Sequence, residues 1–323
     1  MKQQFIGKTI YFLGDSHTAR GRYVYYLRSA MQGRDEKCYF FNCGASGARA
    51  ETGKYTLIQE LEGRQKPDYV FVMFGTNDMG IWLYDADKEV TNELLAKREE
   101  RDRRYQNSIR EIVGILRERG ITPVLMSTVC VNELLIEKEN IQTVADNQEK
   151  EDYIGPSFYK RKTFRAINVA LKGYADWVKA YAESENIAYI DNFTPSYHHT
   201  LTATDTHLED GTHLSESGYM AVAKNILKYL GVEDVPEQLP KTPENDAICA
   251  VEGKERNLQF IPWVLCNPVL GARTEEDVTI YCEEMIANPN KEEWMKNNAR
   301  FYLENRGTQM QLRAEIEKLT YEL

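Results

Sequence analysis

The sequence lacks an excess of positive charge: 40 Lys and Arg stand against 50 Asp and Glu, a formal charge of −10 over 323 residues. Phosphate backbones and anionic lipid surfaces are bound by clustered basic side chains, so no nucleic acid partner is expected, nor an acidic membrane surface. No apolar run approaches the roughly 18–20 residues that a membrane span needs. The opening MKQQFIGKTIYFLGDS has a lysine but neither a long apolar stretch nor a small-residue cleavage site, so no signal peptide is expected and its apolar residues read as a first strand. The six cysteines (Cys38, Cys43, Cys130, Cys249, Cys266, Cys282) show no CxxC and no metal-ligand spacing, which suits free thiols in a reducing cytoplasm. Internal repeats and low-complexity tracts are also missing.

What is present is ordinary for a folded protein. Hydrophobic residues make up 42% and charged residues 28%, too apolar for a disordered chain. The length fits one large domain with an appendage, or two domains.

The first two-thirds alternate short apolar runs with helical patterns. Strands are expected at Thr9–Leu13, Cys38–Asn42, Tyr69–Phe74, Pro123–Ser127 and Ile187–Ile190. Each is rich in aromatic or β-branched residues and apolar nearly throughout, as in strands covered on both faces. Helices are expected at Tyr105–Arg119, Phe164–Ser184 and Ser217–Leu230, with Gly120 and Gly231 after the first and third. Such alternation implies a parallel sheet with helices on both sides, whose active groups gather at the carboxyl ends of the strands. Two stretches interrupt it: the charge-dense Asp85–Arg104, read as a solvated helix extension or loop, and the long polar insertion Val131–Lys162, read as rim or lid. The Pro- and Glu-rich Pro236–Asp246 reads as a linker. It divides a domain at 1–235 from a helical extension at 236–323, with helices at Glu275–Ala287, Lys291–Asn305 and Thr308–Leu319. Those helices are expected either to pack back on the first domain or to pair with a second subunit in a homo-oligomer.

Three polar motifs fall at strand ends. Ser16, in Gly14-Asp15-Ser16-His17, follows the first strand where the chain turns toward a helix, whose N-terminus would favour developing negative charge. The same tripeptide also suits a plain turn with serine as helix cap. Further on, Asp210-Gly211-Thr212-His213 offers an imidazole to activate a hydroxyl, and a carboxylate three residues away to fix its tautomer. Its plainer alternative is an exposed Asp, with His capping the helix opened by Ser215 or Ser217. Stabilising an oxyanion wants neutral donors, and the side-chain amide of Asn77 in Gly75-Thr76-Asn77-Asp78 and the backbone N–H of Gly47 in Asn42-Cys43-Gly44-Ala45-Ser46-Gly47 qualify, with the Ser16 N–H as a third. Both segments are equally good turn sequences.

Taken in order, these motifs resemble the SGNH (GDSL-type) hydrolase family over about residues 8–230. The resemblance implies a flavodoxin-like three-layer α/β/α sandwich with a central parallel sheet. It makes Ser16 the nucleophile, His213 the base, Asp210 its orienter, and Ser16, Gly47 and Asn77 the oxyanion donors; Gly47 is chosen over Gly44 as the second glycine of its turn. No metal or organic cofactor is required. The implied activity is carboxylic ester hydrolysis through an acyl-enzyme, on a small-molecule ester. A small acyl group such as acetyl on a carbohydrate is favoured, since no long apolar cap is evident and the family includes many carbohydrate deacetylases. Lysophospholipase or thioesterase chemistry is the alternative, and a non-catalytic binding module a more distant one. A metal-dependent phosphoesterase, which GDSH and GTND superficially suggest, would need more ligands than five histidines supply, and an Asn-His pair where Asn77-Asp78 stands.

The sequence departs from that family at His17, where Leu or Ile is commoner; a packing or capping role is expected there. His198, His199 and His207 read as surface-loop residues rather than metal ligands or sugar contacts. Asp15 and Asp78 are expected to hold loops through backbone N–H groups. Trp82, Tyr84, Phe158, Tyr159 and Tyr197 are candidates for cleft walls, though each also suits ordinary packing.

Overall fold

The computed structural model describes residues 1–84, 89–138, 166–203, 205–208, 210–235, 241–258 and 274–323. In chain order they form β1 (Thr9–Gly14), the single turn α1 (Ser16–Ala19), α2 (Arg22–Met31), β2 (Tyr39–Gly44), α3 (Ala50–Gly63), β3 (Tyr69–Met73), α4 (Asn92–Glu118), β4 (Thr122–Met126), α5 (Glu133–Lys138), α6 (Ile167–Ser184), β5 (Ala188–Ile190), α7 (Phe193–Thr202) and α8 (Glu216–Leu230). Three more helices follow, α9 (Pro243–Arg256), α10 (Glu275–Ala287) and α11 (Glu293–Glu322).

The five strands run parallel in the order β2-β1-β3-β4-β5. This is the flavodoxin-like order, and it reverses direction between β1 and β3, where ligands of such sheets bind. Alternate residues explain why the strands read as apolar throughout. Tyr11 and Leu13 of β1 join Val70 and Val72 against α3, α4 and α6. Ile10 and Phe12 join Phe71 and Met73 against α2 and α8. Helices therefore cover both faces of the sheet, giving three layers.

Several expected boundaries shift. The helix expected from Tyr105 begins at Asn92, where Thr91 caps it by accepting from the Leu94 N–H at 3.2 Å. Much of the charge-dense stretch is thus helix α4, while 85–88 lie outside the described residues. The helix after Ser16 is one turn long, broken at Gly21, whose φ of 70° is left-handed. Only the first residues of the polar insertion are described; 139–165 are not. Within the expected linker, 236–240 lie outside the described residues, and α9 already starts at Pro243, capped by Thr242.

The two helices expected at Lys291–Asn305 and Thr308–Leu319 are one helix of 30 residues, α11, which runs through Gly307. It packs back on the rest of the chain with α9 and α10. Tyr302 of α11 and Val278 and Cys282 of α10 bury against Tyr55 and Ile58 of α3. Tyr321 sets its ring 4.7 Å from that of Tyr39 on the edge strand β2. Fully buried ions join the parts: Arg28 of α2 bonds Glu252 of α9 at 2.5 Å, and Arg313 of α11 reaches Glu60 of α3 at 3.2 Å and Glu255 of α9 at 3.0 Å. Removing one partner would strand a buried charge, so these contacts hold the extension tightly in place. Among the described residues no helix is long and apolar enough to cross a membrane.

Candidate active site

Ser16 stands directly past β1, at the reversal in strand order. The strand end needs Gly14: a Cβ there would lie 2.2 Å from Thr18 Oγ1 and 2.7 Å from the Met73 carbonyl. Asp15 caps the following turn, accepting the His17 N–H at 2.9 Å. Ser16 is half-buried while Asp15 and His17 on either side are buried, so of the three only the serine reaches solvent.

Asp210 and His213 come from the loop before α8. That loop is a narrow hairpin closed by Leu208 N–H to His213 C=O at 2.8 Å and Ser215 N–H to Thr206 C=O at 2.9 Å. Asp210 Oδ1 accepts the backbone N–H groups of Thr212 and His213 at 2.9 and 2.8 Å. Its Oδ2 faces His213 Nδ1 at 2.7 Å. His213 Nε2 lies 2.9 Å from Ser16 Oγ, across 197 residues of chain. The helix cap is Ser215, which accepts from Gly218, so His213 is not spent on capping. Partial burial pushes the Asp210 carboxyl up, but the hydrogen bonds from the His213 ring and backbone and from Thr212 outweigh it and bring the group to about 2. It is therefore a carboxylate at neutral pH, suited to hold Nδ1–H and leave Nε2 as the acceptor toward the serine hydroxyl.

The two turns beyond β2 and β3 meet each other, and their strands flank the end of β1 that Ser16 follows. Asn77 Nδ2 donates to the Ala48 carbonyl at 3.0 Å, and Ala50 N–H donates to Asp78 Oδ1 at 2.8 Å. Gly47 adopts a left-handed φ of 75°. Both Gly47 and Asn77 are half-buried between buried neighbours on their chain, apart from the exposed Ser46. Among the described residues none accepts a hydrogen bond from the backbone N–H of Ser16 or of Gly47. Asp15 and Asp78 do hold loops through backbone N–H groups. Burial raises both to about 7, against those same hydrogen bonds, which favour the charged form.

His17 is buried, its ring 5.4 Å from that of His213 and its Nδ1 3.4 Å from Tyr219 Oη. Burial, then the neighbouring His213, holds it well below the usual imidazole range, so it is neutral packing. His198 and His199 lie on helix α7, exposed and half-buried respectively. His207 is not a surface residue: it is buried, with Nε2 3.0 Å from the Cys130 carbonyl and Nδ1 2.9 Å from Thr206 Oγ1. Of the expected cleft walls, Tyr84 lines a separate cavity of about 190 Å³ with Asp102, Tyr105, Gln106 and Tyr174, and no motif residue borders it. Trp82 packs under Arg101 and Tyr197 stacks on Phe193. Phe158 and Tyr159 lie outside the described residues.

The motifs gave no hint of the segment after β4. Its Asn132 N–H donates to the Gly211 carbonyl at 2.7 Å, and a Cβ on Gly211 would meet that segment at 2.6–2.7 Å. Backbone-to-backbone contacts leave no side-chain signature in a sequence. Among the described residues no three His, Cys, Asp or Glu side chains are grouped as metal ligands would be.

Residues 12–221 match the GDSL-like Lipase/Acylhydrolase family. Among solved structures, Axe2, an acetylxylan esterase from Geobacillus stearothermophilus, is similar at 23% identity and a TM-score of 0.50, with 72% of this chain and 98% of that chain covered. A point mutant of Axe2, described as an acetyl-xylooligosaccharide esterase, gives the same values: 23% identity, a TM-score of 0.50, and 72% and 98% coverage. At that identity the likeness carries the fold. No curated protein matches the chain.

Proposed function

Since the chain belongs to the GDSL-like lipase/acylhydrolase family, we propose that it is a serine-dependent carboxylic ester hydrolase working through an acyl-enzyme on Ser16. The observation that carries this reading is the unbroken line Ser16 Oγ, His213 Nε2, His213 Nδ1, Asp210 Oδ2, with contacts of 2.9 and 2.7 Å. A serine hydroxyl is a weak nucleophile near neutral pH and needs such a base.

In this mechanism His213 Nε2 takes the hydroxyl proton as Ser16 Oγ attacks the ester carbonyl carbon. Asp210 holds the imidazolium through Nδ1–H. The oxyanion receives hydrogen bonds from the Ser16 and Gly47 N–H groups and the Asn77 amide, the step that usually contributes most to such catalysis. Collapse expels the alcohol, which takes the proton from Nε2. Water, deprotonated by His213, then attacks the acyl-serine, and the acid leaves as Ser16 regains its hydrogen.

The proposed substrate is a small acyl ester, such as acetate on a carbohydrate. Support comes from the lack of a long apolar cap in the sequence, and the acetylxylan esterase among the fold's neighbours is consistent with it. A fluorophosphonate probe tests the chemistry: it should label Ser16 in the wild type. A panel of acetylated sugars, graded p-nitrophenyl esters and lysophospholipids tests the substrate. Turnover that rises with acyl chain length would overturn the acetyl assignment.

A further inference from the structure

We propose that His207 is a positioning residue that holds the Asp210–His213 loop against the segment after β4. The proposal rests on the triad reading above and adds a residue that the triad motifs do not contain.

The argument begins with the acceptor. A carbonyl cannot donate, so the 3.0 Å contact between His207 Nε2 and Cys130 C=O requires a hydrogen on Nε2. In the neutral ring Nδ1 is then the acceptor, and the Thr206 hydroxyl, 2.9 Å away, donates its one hydrogen there rather than to the more distant Thr200 Oγ1 at 3.4 Å. Burial keeps His207 below the usual imidazole range, consistent with that single tautomer. The ring is thus fully bonded and fixed.

Both ends of this contact are anchored. Residue 207 bridges Leu214 in an antiparallel pair, next to the Leu208-to-His213 hydrogen bond that closes the loop. On the other side, Cys130 N–H donates to Ser196 Oγ of α7 at 3.0 Å. Two residues before Cys130, the hydroxyls of Thr128 and Thr76 meet at 2.7 Å, joining the same segment to the turn that carries Asn77. His207 therefore closes a chain of buried contacts from the oxyanion turn to the loop of the base. Without it, the Asn132-to-Gly211 backbone bond is the hydrogen bond left between the loop and this segment among the described residues, and His213 can swing relative to Ser16. Misplacement of about 1 Å costs roughly 100-fold in rate.

The test is steady-state hydrolysis of p-nitrophenyl acetate by the full chain, with the fluorophosphonate labelling rate and the downfield proton NMR signal of His213 Nδ1–H. His207→Leu should lower kcat about 10- to 100-fold, leave KM within about twofold, slow labelling and broaden the NMR signal. His207→Gln, whose amide N–H can still donate to Cys130, should recover most of kcat and the signal. Thr206→Val, which removes the donor to Nδ1 with little volume change, should show a smaller loss of the same kind and decides the matter if His207→Leu does not fold. Unchanged kcat and labelling in folded His207→Leu would overturn the proposal, as would equal losses in the Leu and Gln variants. A wild type that fails to label at all would instead sink the triad reading.

Discussion

The backbone N–H of Ala50 donates to the Asp78 carboxyl at 2.8 Å, tying the turn after β3 to the start of α3. With Asn77 Nδ2 bound to the Ala48 carbonyl, this fixes the turn carrying Asn77 against the turn carrying Gly47. The two proposed oxyanion donors are thus held relative to each other by contacts within the protein.

Asp78 therefore has a measurable pH signature. Its folded value of about 7 exceeds the ordinary carboxyl value of about 3.9 in an unfolded chain. The stability it contributes is full below about pH 4 and is lost as pH rises through about 7. Asp78→Asn keeps an oxygen for Ala50 and cannot ionise, so its stability relative to wild type should improve between pH 5 and pH 8. Urea unfolding of both proteins at the two pH values checks this; a constant difference would show that Asp78 does not titrate in that window.

Ser16→Ala should abolish ester turnover, with kcat down roughly 10⁴- to 10⁶-fold, because in the proposed mechanism His213 and Asp210 act through that oxygen. Ser16 is half-buried and, among the described residues, its hydroxyl bonds the half-buried His213 alone, so the melting temperature should move by no more than about a degree or two. Substantial turnover in this variant would rule the serine out as nucleophile.

In Asp210→Asn the Thr212 and His213 backbone contacts on Oδ1 can persist, but an amide NH₂ would face Nδ1 in place of Oδ2. The imidazole must then turn its lone pair toward the amide and its hydrogen toward Ser16. A loss in kcat of about 10⁴-fold is expected, with the fold intact. Circular dichroism together with single-turnover kinetics separates this from unfolding.

Asn77→Ala removes one proposed oxyanion donor together with the bond to Ala48. A fall in kcat of about 10²- to 10³-fold with little change in KM is expected, since the oxyanion exists only past the ground state. An effect on KM alone would place Asn77 in substrate binding instead.

Much of this protein was legible in its residues taken locally. Strand β1 is apolar from Ile10 to Leu13 because both its faces are covered, and that pattern is written in four consecutive letters. Asp210 and His213 are three apart, so their pairing through Nδ1 needs only one loop, and loops obey short-range turn chemistry. The parallel sheet and its flanking helices follow from the same local signals. What the sequence could not decide is long-range pairing. Arg28 and Glu252 are 224 residues apart and no local pattern couples them, yet both are buried and together they fasten the extension. Two helices are expected at Lys291–Asn305 and Thr308–Leu319, but packing of α11 along α9, α10 and α3 carries one helix through Gly307 despite its weak helix propensity. His207 reads as one of several loop histidines until the Cys130 carbonyl, 77 residues earlier, arrives at 3.0 Å. Local pattern records which face of an element is apolar; only the folded chain brings a given charge or ring to its partner, because that partner's position depends on every element packed between them.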